Sequence, residues 1–79
     1  MMHNSLINEI IKCIAEFLSI DESGIKEETH LQDDLGLSSF DMMELSCELE
    51  EHFNVKIPAE KLSEIKRIGD IKTLIEQRG

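Results

Sequence analysis

Apolar residues recur every three or four positions in three separate stretches of this 79-residue chain. That period is typical of helices that each bury one face. It predicts helices over about residues 5–18, 39–53 and 69–76, with a short additional helix over residues 58–62. A chain of this length supports one modest core. We therefore expect a single domain over residues 1–79, folded as an all-α, small four-helix bundle.

The ends of these helices carry residue types that suit helix termini. Asn4 or Ser5 is expected to cap the first helix by accepting a hydrogen bond from a free backbone N–H. Asn54 is a natural end for the second helix, and Pro58 fits the first turn of the short one. Arg78 lies near the carboxyl end of the last helix, where a positive charge is favourable.

A long polar connection separates the first two predicted helices. From Ser19 to Asp34 the sequence has no sustained apolar period. Its isolated apolar residues are expected to pin it to the core: Ile20, Ile25, Leu31 and Leu35. A structureless segment of this length is unusual inside a compact domain, so we expect a short extra turn or a functional edge within it.

The net charge limits the classes of partner. A formal net charge of −9 opposes binding to nucleic acid and to anionic membranes. No apolar run approaches the roughly 20 residues that span a bilayer, and we expect a cytoplasmic protein. Between Asp33 and Val55 there are seven acids and no lysine or arginine. This segment predicts a basic protein partner, although acids that only keep a small protein soluble give the same pattern.

The second predicted helix has two different faces. On a wheel at about 100° per residue, one face carries the residues expected in the core: Met42, Leu45, Leu49 and Phe53. The opposite face alternates apolar and acidic residues: Phe40, Met43, Glu44, Cys47 and Glu51. An apolar patch bordered by carboxylates is typical of a docking surface.

Two sequence blocks resemble those of a known family. Residues 34–45, D-L-G-L-S-S-F-D-M-M-E-L, resemble the prosthetic-group motif D-L-G-x-D-S-L-D-x-V-E-L of acyl carrier proteins. Residues 49–58, L-E-E-H-F-N-V-K-I-P, resemble the family's L-E-E-x-F-x-x-x-I-P at the family's spacing, and I-G-D-I at residues 68–71 is also similar. The resemblance covers nearly the whole chain. It implies an acyl carrier protein, which is a carrier and not an enzyme.

By this resemblance Ser39 matches the serine that receives 4′-phosphopantetheine from coenzyme A through a phosphopantetheinyl transferase. A helix start suits a phosphodiester, because free backbone N–H groups and the helix dipole both favour an anion. The thiol of the arm then carries an acyl group as a thioester. Ser38 is the competing residue, and both serines also fit plain capping roles, with Ser38 and Asp41 as a capping box.

The resemblance implies two further sets of residues. Acyl-loading and acyl-processing enzymes with basic patches are expected to contact one set: Phe40, Asp41, Met43, Glu44, Cys47, Glu50 and Glu51. The acyl chain is expected to lie between helices against a second set: Leu45, Leu49, Ile57, Leu62 and Ile71. The second set is also expected to form the core of the bundle. A carrier that visits several enzymes is expected to be a monomer.

The motif departs from the family pattern where Ser38 replaces the usual aspartate and Phe40 the usual leucine. The partner enzymes are therefore not determined. The acyl cargo could belong to general fatty-acid synthesis or to a specialised polyketide or lipid pathway, and the changes at residues 38 and 40 lean slightly toward a specialised role. An aminoacyl or peptidyl carrier and an unmodified interaction module are alternatives. Retention of Ser39 argues against the module. The acidic second helix and the lack of a G-G-x-S motif argue against a peptidyl carrier.

Two other classes of function fit the sequence poorly. A Ser39 nucleophile with a His52 base is disfavoured, because thirteen residues of one helix separate them by roughly 20 Å. The sequence also lacks a G-x-S-x-G elbow. Asp33 and Glu44 have the spacing of a calcium loop, but its third and fifth positions are Leu35 and Leu37, and its sixth is Ser38 instead of glycine. The two cysteines lie far apart and are expected as free thiols, and we expect no metal site.

Overall fold

The computed structural model describes the backbone of residues 2–77 and the side chains of residues 6–77. Within that range the chain forms four α-helices: α1 at Met2–Leu18, α2 at Ser39–Phe53, α3 at Ala59–Leu62 and α4 at Ile68–Gln77. The described part of the chain contains no β-strand, only an isolated bridge between His30 and Arg67. None of these described helices combines the length and apolar character needed to cross a membrane. The prediction of an all-α, four-helix fold is confirmed.

The helix ends differ from the prediction mainly at α1. This helix begins at Met2, three residues before the predicted start, which was wrong. Residues 2–5 include neither glycine nor proline, so nothing in them stops the helix. Asn4 and Ser5 lie inside α1, so the prediction that one of them caps its start was wrong. Arg78 lies outside the described residues, and its predicted role stays a prediction. Helix α4 is one residue longer at each end than predicted.

The described residues share one hydrophobic core. Helix α1 packs against both α2 and α4, and α3 packs against α2. The largest fully buried side chains are Ile10, Ile14, Leu31, Leu45, Leu49, Ile68 and Ile71. Burying each contributes about 1.5–3 kcal/mol. Helix α3 supplies no buried residue, so its position depends on other contacts.

The connection between α1 and α2 contains the expected extra turn, a 3-10 turn at Glu22–Gly24. Ile25 and Leu31 are buried and Leu35 is half-buried. The prediction that Ile20 pins the connection was wrong, because Ile20 is 44% exposed. Ser19 adopts a left-handed conformation with φ of 58°. This residue reverses the chain at the end of α1 and leaves the Ile20 side chain in solvent.

Backbone hydrogen bonds join this connection to the start of α4. The Leu31 N–H donates to the Lys66 carbonyl at 2.9 Å, and the Ile68 N–H donates to the Thr29 carbonyl at 3.1 Å. These residues lie more than 30 positions apart in sequence. The connection is therefore a fixed part of the bundle.

Asp70 organises the backbone where α4 begins. Its Oδ2 atom accepts hydrogen bonds from the Arg67 N–H and the Lys66 N–H, both at 2.9 Å. The bond from Arg67 is the main cause that lowers the pKa of the Asp70 carboxyl. Partial burial opposes it, while the bond from Lys66 and the charges of Arg67 and His30 act in the same direction. The folded protein therefore favours the ionised carboxylate.

Replacing Asp70 by asparagine is expected to destabilise the protein at neutral pH and to weaken its acid sensitivity. The folded pKa lies below the unfolded value near 3.9, so the carboxylate's contribution is complete above that value. It is lost as the pH falls through the folded pKa. Urea denaturation at several pH values between about 7 and 3 measures the difference from wild type, which should shrink below about pH 4.

The control for this experiment is Glu28→Gln, because Glu28 is exposed and its carboxylate has no hydrogen bond to a described residue. This variant should follow the wild-type protein at each pH. A stability difference for Asp70→Asn that stays constant from neutral to acid pH contradicts the assigned role of its charge.

Candidate functional site

The chain enters α2 through a tight turn over residues 30–37. Gly36 has φ of 72°, a conformation that glycine adopts without steric cost. The Gly36 N–H donates to the Gln32 carbonyl at 3.1 Å, and the Leu37 N–H donates to the Leu31 carbonyl at 3.2 Å. Both leucines are buried, Leu31 fully. The turn is thus anchored in the core, and it presents residues 38 and 39 at the surface.

Ser38 precedes α2 and caps it. Its Oγ accepts a hydrogen bond from the Asp41 N–H at 3.1 Å, and Asp41 Oδ2 accepts one from the Ser38 N–H at 3.0 Å. This reciprocal pair is the capping box predicted from the sequence. The Ser38 hydroxyl and one Asp41 oxygen therefore already serve the helix start.

Ser39 is the first residue of α2, and it is exposed. Its hydroxyl has no hydrogen-bond partner among the residues that the structure describes. The Ser39 and Phe40 N–H groups also lack an acceptor there, as is usual in the first turn of a helix. A phosphodiester on the Ser39 oxygen would lie beside two free donors at the positive end of the helix dipole. The residues present thus fit a phosphate-linked group at this position.

One side of α2 faces solvent, and we call it the outer face: Phe40, Met43, Glu44, Cys47 and Glu51. Phe40 is 65% exposed and Met43 is 61% exposed, and the other three are exposed as well. On the opposite side, Met42, Leu45 and Leu49 are buried. The predicted orientation of the helix is therefore confirmed. The outer face combines apolar side chains with free carboxylates.

The other two acids of the predicted partner set have a different environment. Asp41 and Glu50 are both half-buried. Asp41 is held in the capping box, and Glu50 Oε2 accepts a hydrogen bond from the Ile57 N–H at 2.7 Å. Their predicted contact with partners stays a prediction. Glu48 is exposed on the same helix and was not included in that set. Its position four residues after Glu44 makes the two residues neighbours on the helix surface.

A surface cavity of about 320 Å³ lies beside Ser39, and we call it the Ser39 cavity. Its walls come from the start of α2, from α3 and from two connections: Gln32, Ser39, Met42, Met43, Ala59, Leu62, Ser63 and Ile65. Of the residues predicted to contact an acyl chain, Leu62 lines this cavity. The other four are packed in the core: Leu45, Leu49, Ile57 and Ile71. The acyl-chain pocket therefore stays a prediction. Four of its five residues are core residues because apolar periodicity identifies buried side chains and does not identify the residues that line a cavity.

The remaining reactive side chains do not gather around Ser39. His52 lies at the opposite end of α2, where its ring contacts that of Phe53 at a centroid distance of 4.6 Å. Burial raises the pKa of the Cys13 thiol, while Cys47 is exposed and also free. Among the described residues, no group of His, Cys, Asp and Glu side chains could hold a metal ion.

Comparisons with known proteins agree with this geometry. Residues 8–75 match the family model described as "Phosphopantetheine attachment site". Over 72 residues the chain is 36% identical to the acyl carrier protein of Wolinella succinogenes, covering 91% of this chain and 95% of that protein. Over 73 residues it is 37% identical to the acyl carrier protein of Thermotoga maritima, covering 92% and 90%.

A solved structure gives the same result. A candidate acyl carrier protein from Mycobacterium tuberculosis matches with a TM-score of 0.83 at 32% identity, covering 92% of this chain and 97% of that one. The family match spans most of the chain, and the relatives align over nearly their whole length. This chain therefore belongs to the acyl carrier protein family, whose members carry a covalently attached 4′-phosphopantetheine.

Proposed function

We propose that Ser39 carries the phosphopantetheine arm and that the protein presents the attached acyl group to other enzymes without itself catalysing a reaction. One observation favours Ser39 over the neighbouring Ser38. The Ser39 hydroxyl is exposed and unbonded within the described chain, whereas the neighbouring Ser38 hydroxyl accepts the Asp41 N–H. Ser39 therefore offers a nucleophile whose use leaves the helix cap intact.

In the attachment step, the Ser39 oxygen forms a bond to the phosphorus that bears the pantetheine arm in coenzyme A. The bond from that phosphorus to the bridging phosphate oxygen breaks, and adenosine 3′,5′-bisphosphate leaves. The serine proton passes to a base of the transferase. The Ser39 and Phe40 N–H groups are placed to stabilise the negative diester. When bound, the arm supplies a thiol that holds an acyl group as a thioester.

The test starts from unmodified protein, coenzyme A and a broad-specificity phosphopantetheinyl transferase. Intact mass spectrometry should show the gain of one arm per chain. Proteolysis should then place that gain on the peptide that contains residues 38 and 39. No gain, or a gain on a different peptide, contradicts the proposal.

We further propose that the outer face of α2 is where partner enzymes dock. Its exposed Phe40 and Met43 offer apolar contact, and Glu44 and Glu51 offer charge for basic patches. The partners in this proposal are the transferase and the enzymes that load and process the acyl group. The cargo is an acyl group of fatty-acid, polyketide or lipid biosynthesis. The monomeric state and the cytoplasmic location stay predictions.

Reversing charge on the outer face is expected to slow modification. For the double variant Glu44→Lys, Glu51→Lys we expect kcat/KM of the transferase to fall about tenfold or more at low salt, because association loses its electrostatic steering. Added salt should reduce the difference. Helicity should change little, since both side chains are exposed. Initial rates measured at two salt concentrations test this expectation.

The matched control is Glu9→Lys, Glu16→Lys, which makes the same change in net charge on the exposed side of α1. It should slow modification much less than the α2 variant. An equal loss in both variants would mean that net charge alone matters, and the docking face would then be misassigned.

A further inference from the structure

Helix α3 needs an external support to form its wall of the Ser39 cavity. It has four residues, none of them buried, and so short a helix is unstable in isolation. The Lys61 and Leu62 N–H groups both donate to the Pro58 carbonyl at 2.9 Å. Ala59 and Leu62 line the cavity. The place of this wall therefore depends on how the segment before Pro58 is held.

Glu50 holds that segment at two points. Its backbone carbonyl accepts hydrogen bonds from the Asn54 N–H and from the Val55 N–H, the latter at 3.2 Å. Its carboxylate accepts the Ile57 N–H at 2.7 Å. A short bond from an N–H to a carboxylate is stronger than one between neutral groups. Ile57 is buried and precedes Pro58 directly, so this bond fixes the point where the chain enters α3.

We propose that Glu50 is a positioning residue whose carboxylate holds the α3 wall of the Ser39 cavity, and not a charge for partner docking. The effect that we expect on the attached acyl group rests on the proposed attachment at Ser39. Without the bond to Ile57, α3 moves away from α2 and the cavity becomes wider and more exposed to water. A thioester sheltered beside α3 then becomes more accessible.

The two roles of Glu50 require different chemistry. Docking on a basic patch requires a negative charge, whereas holding the Ile57 N–H requires an oxygen acceptor at the right distance. Glutamine keeps the side-chain length and the acceptor but loses the charge. Aspartate keeps the charge but is one methylene shorter. The variants Glu50→Gln and Glu50→Asp therefore separate the two roles, even if Glu50→Ala fails to fold.

The first experiment is hydrogen exchange on the unmodified protein, which does not depend on the arm. In Glu50→Ala and Glu50→Asp, the amides of Ile57 and of residues 61–63 should exchange at least about tenfold faster than in wild type. In Glu50→Gln the increase should be clearly smaller, because the amide oxygen still accepts the Ile57 N–H, although more weakly than a carboxylate does. Glu51→Ala is the control on the neighbouring exposed acid. Unchanged exchange of residues 61–63 in Glu50→Asp overturns the proposal.

The second experiment uses protein loaded from octanoyl coenzyme A by the transferase. Cleavage of the thioester by hydroxylamine should be several-fold faster in Glu50→Asp than in wild type or Glu50→Gln. Transferase kcat/KM should be unchanged in Glu50→Gln. If instead Glu50→Gln lowers kcat/KM and Glu50→Asp restores it, Glu50 is a docking charge and the proposal is wrong. If Ser39 accepts no arm, the function proposed above fails, while hydrogen exchange still decides the role of Glu50.

Discussion

Ser39→Ala is expected to gain no phosphopantetheine under conditions that modify the wild-type protein completely. The attachment step needs the Ser39 oxygen, and the variant removes it. The lost hydroxyl is exposed and has no hydrogen bond within the described chain. Stability should therefore change by less than about 0.5 kcal/mol. Intact mass and thermal denaturation of the same sample measure the two effects separately.

Ser38→Ala provides the matched control because it removes the same atom from the neighbouring residue. This variant should still accept the arm. It should lose about 0.5–2 kcal/mol of stability, because the Asp41 N–H loses its acceptor in the capping box. Ser39→Ala should therefore lose modification and keep its stability, whereas Ser38→Ala should keep modification and lose stability. Loss of modification in Ser38→Ala with retention in Ser39→Ala would show that the attachment residue is misassigned.

The sequence predicted the bodies of the helices because burial of one face imposes a regular apolar period. It predicted the orientation of α2 correctly for the same reason: Met42 and Leu49 are buried, and Phe40 and Met43 are exposed. Periodicity carries no comparable information about a reversal of the chain. The left-handed Ser19 after α1 therefore escaped prediction, and Ile20 was placed in the core incorrectly.

The capping box at the start of α2 was also predictable, since it needs only Ser38 and Asp41 three residues apart. Contacts between distant segments were not. The bond of Leu31 to Lys66 joins segments more than 30 residues apart and depends on how the helices pack. The bond of Ile57 to the Glu50 side chain spans only seven residues, but it follows no regular period that the sequence would show. The Ser39 cavity is likewise assembled from four segments of the chain. A single sequence has no local pattern for such an arrangement, so its walls could not be predicted.

Leu49→Ala is expected to cause the largest loss of stability among these predictions. Leu49 is 1% exposed and lies on the core side of α2. Removing its branched end should cost about 2–5 kcal/mol, because the lost contacts leave a cavity. That is a large part of the roughly 5–15 kcal/mol typical of a folded domain. For a domain of this size it corresponds to a fall in Tm of about 10 °C or more.

Met43→Ala on the same helix is the control, since Met43 is an apolar residue of similar size that is 61% exposed. It should change stability by no more than about 0.5 kcal/mol. Urea denaturation of both variants compares the two faces of α2 directly. If Met43→Ala costs as much as Leu49→Ala, the helix is rotated from its assigned orientation. The outer face would then be partly buried and could not be the surface that meets the transferase.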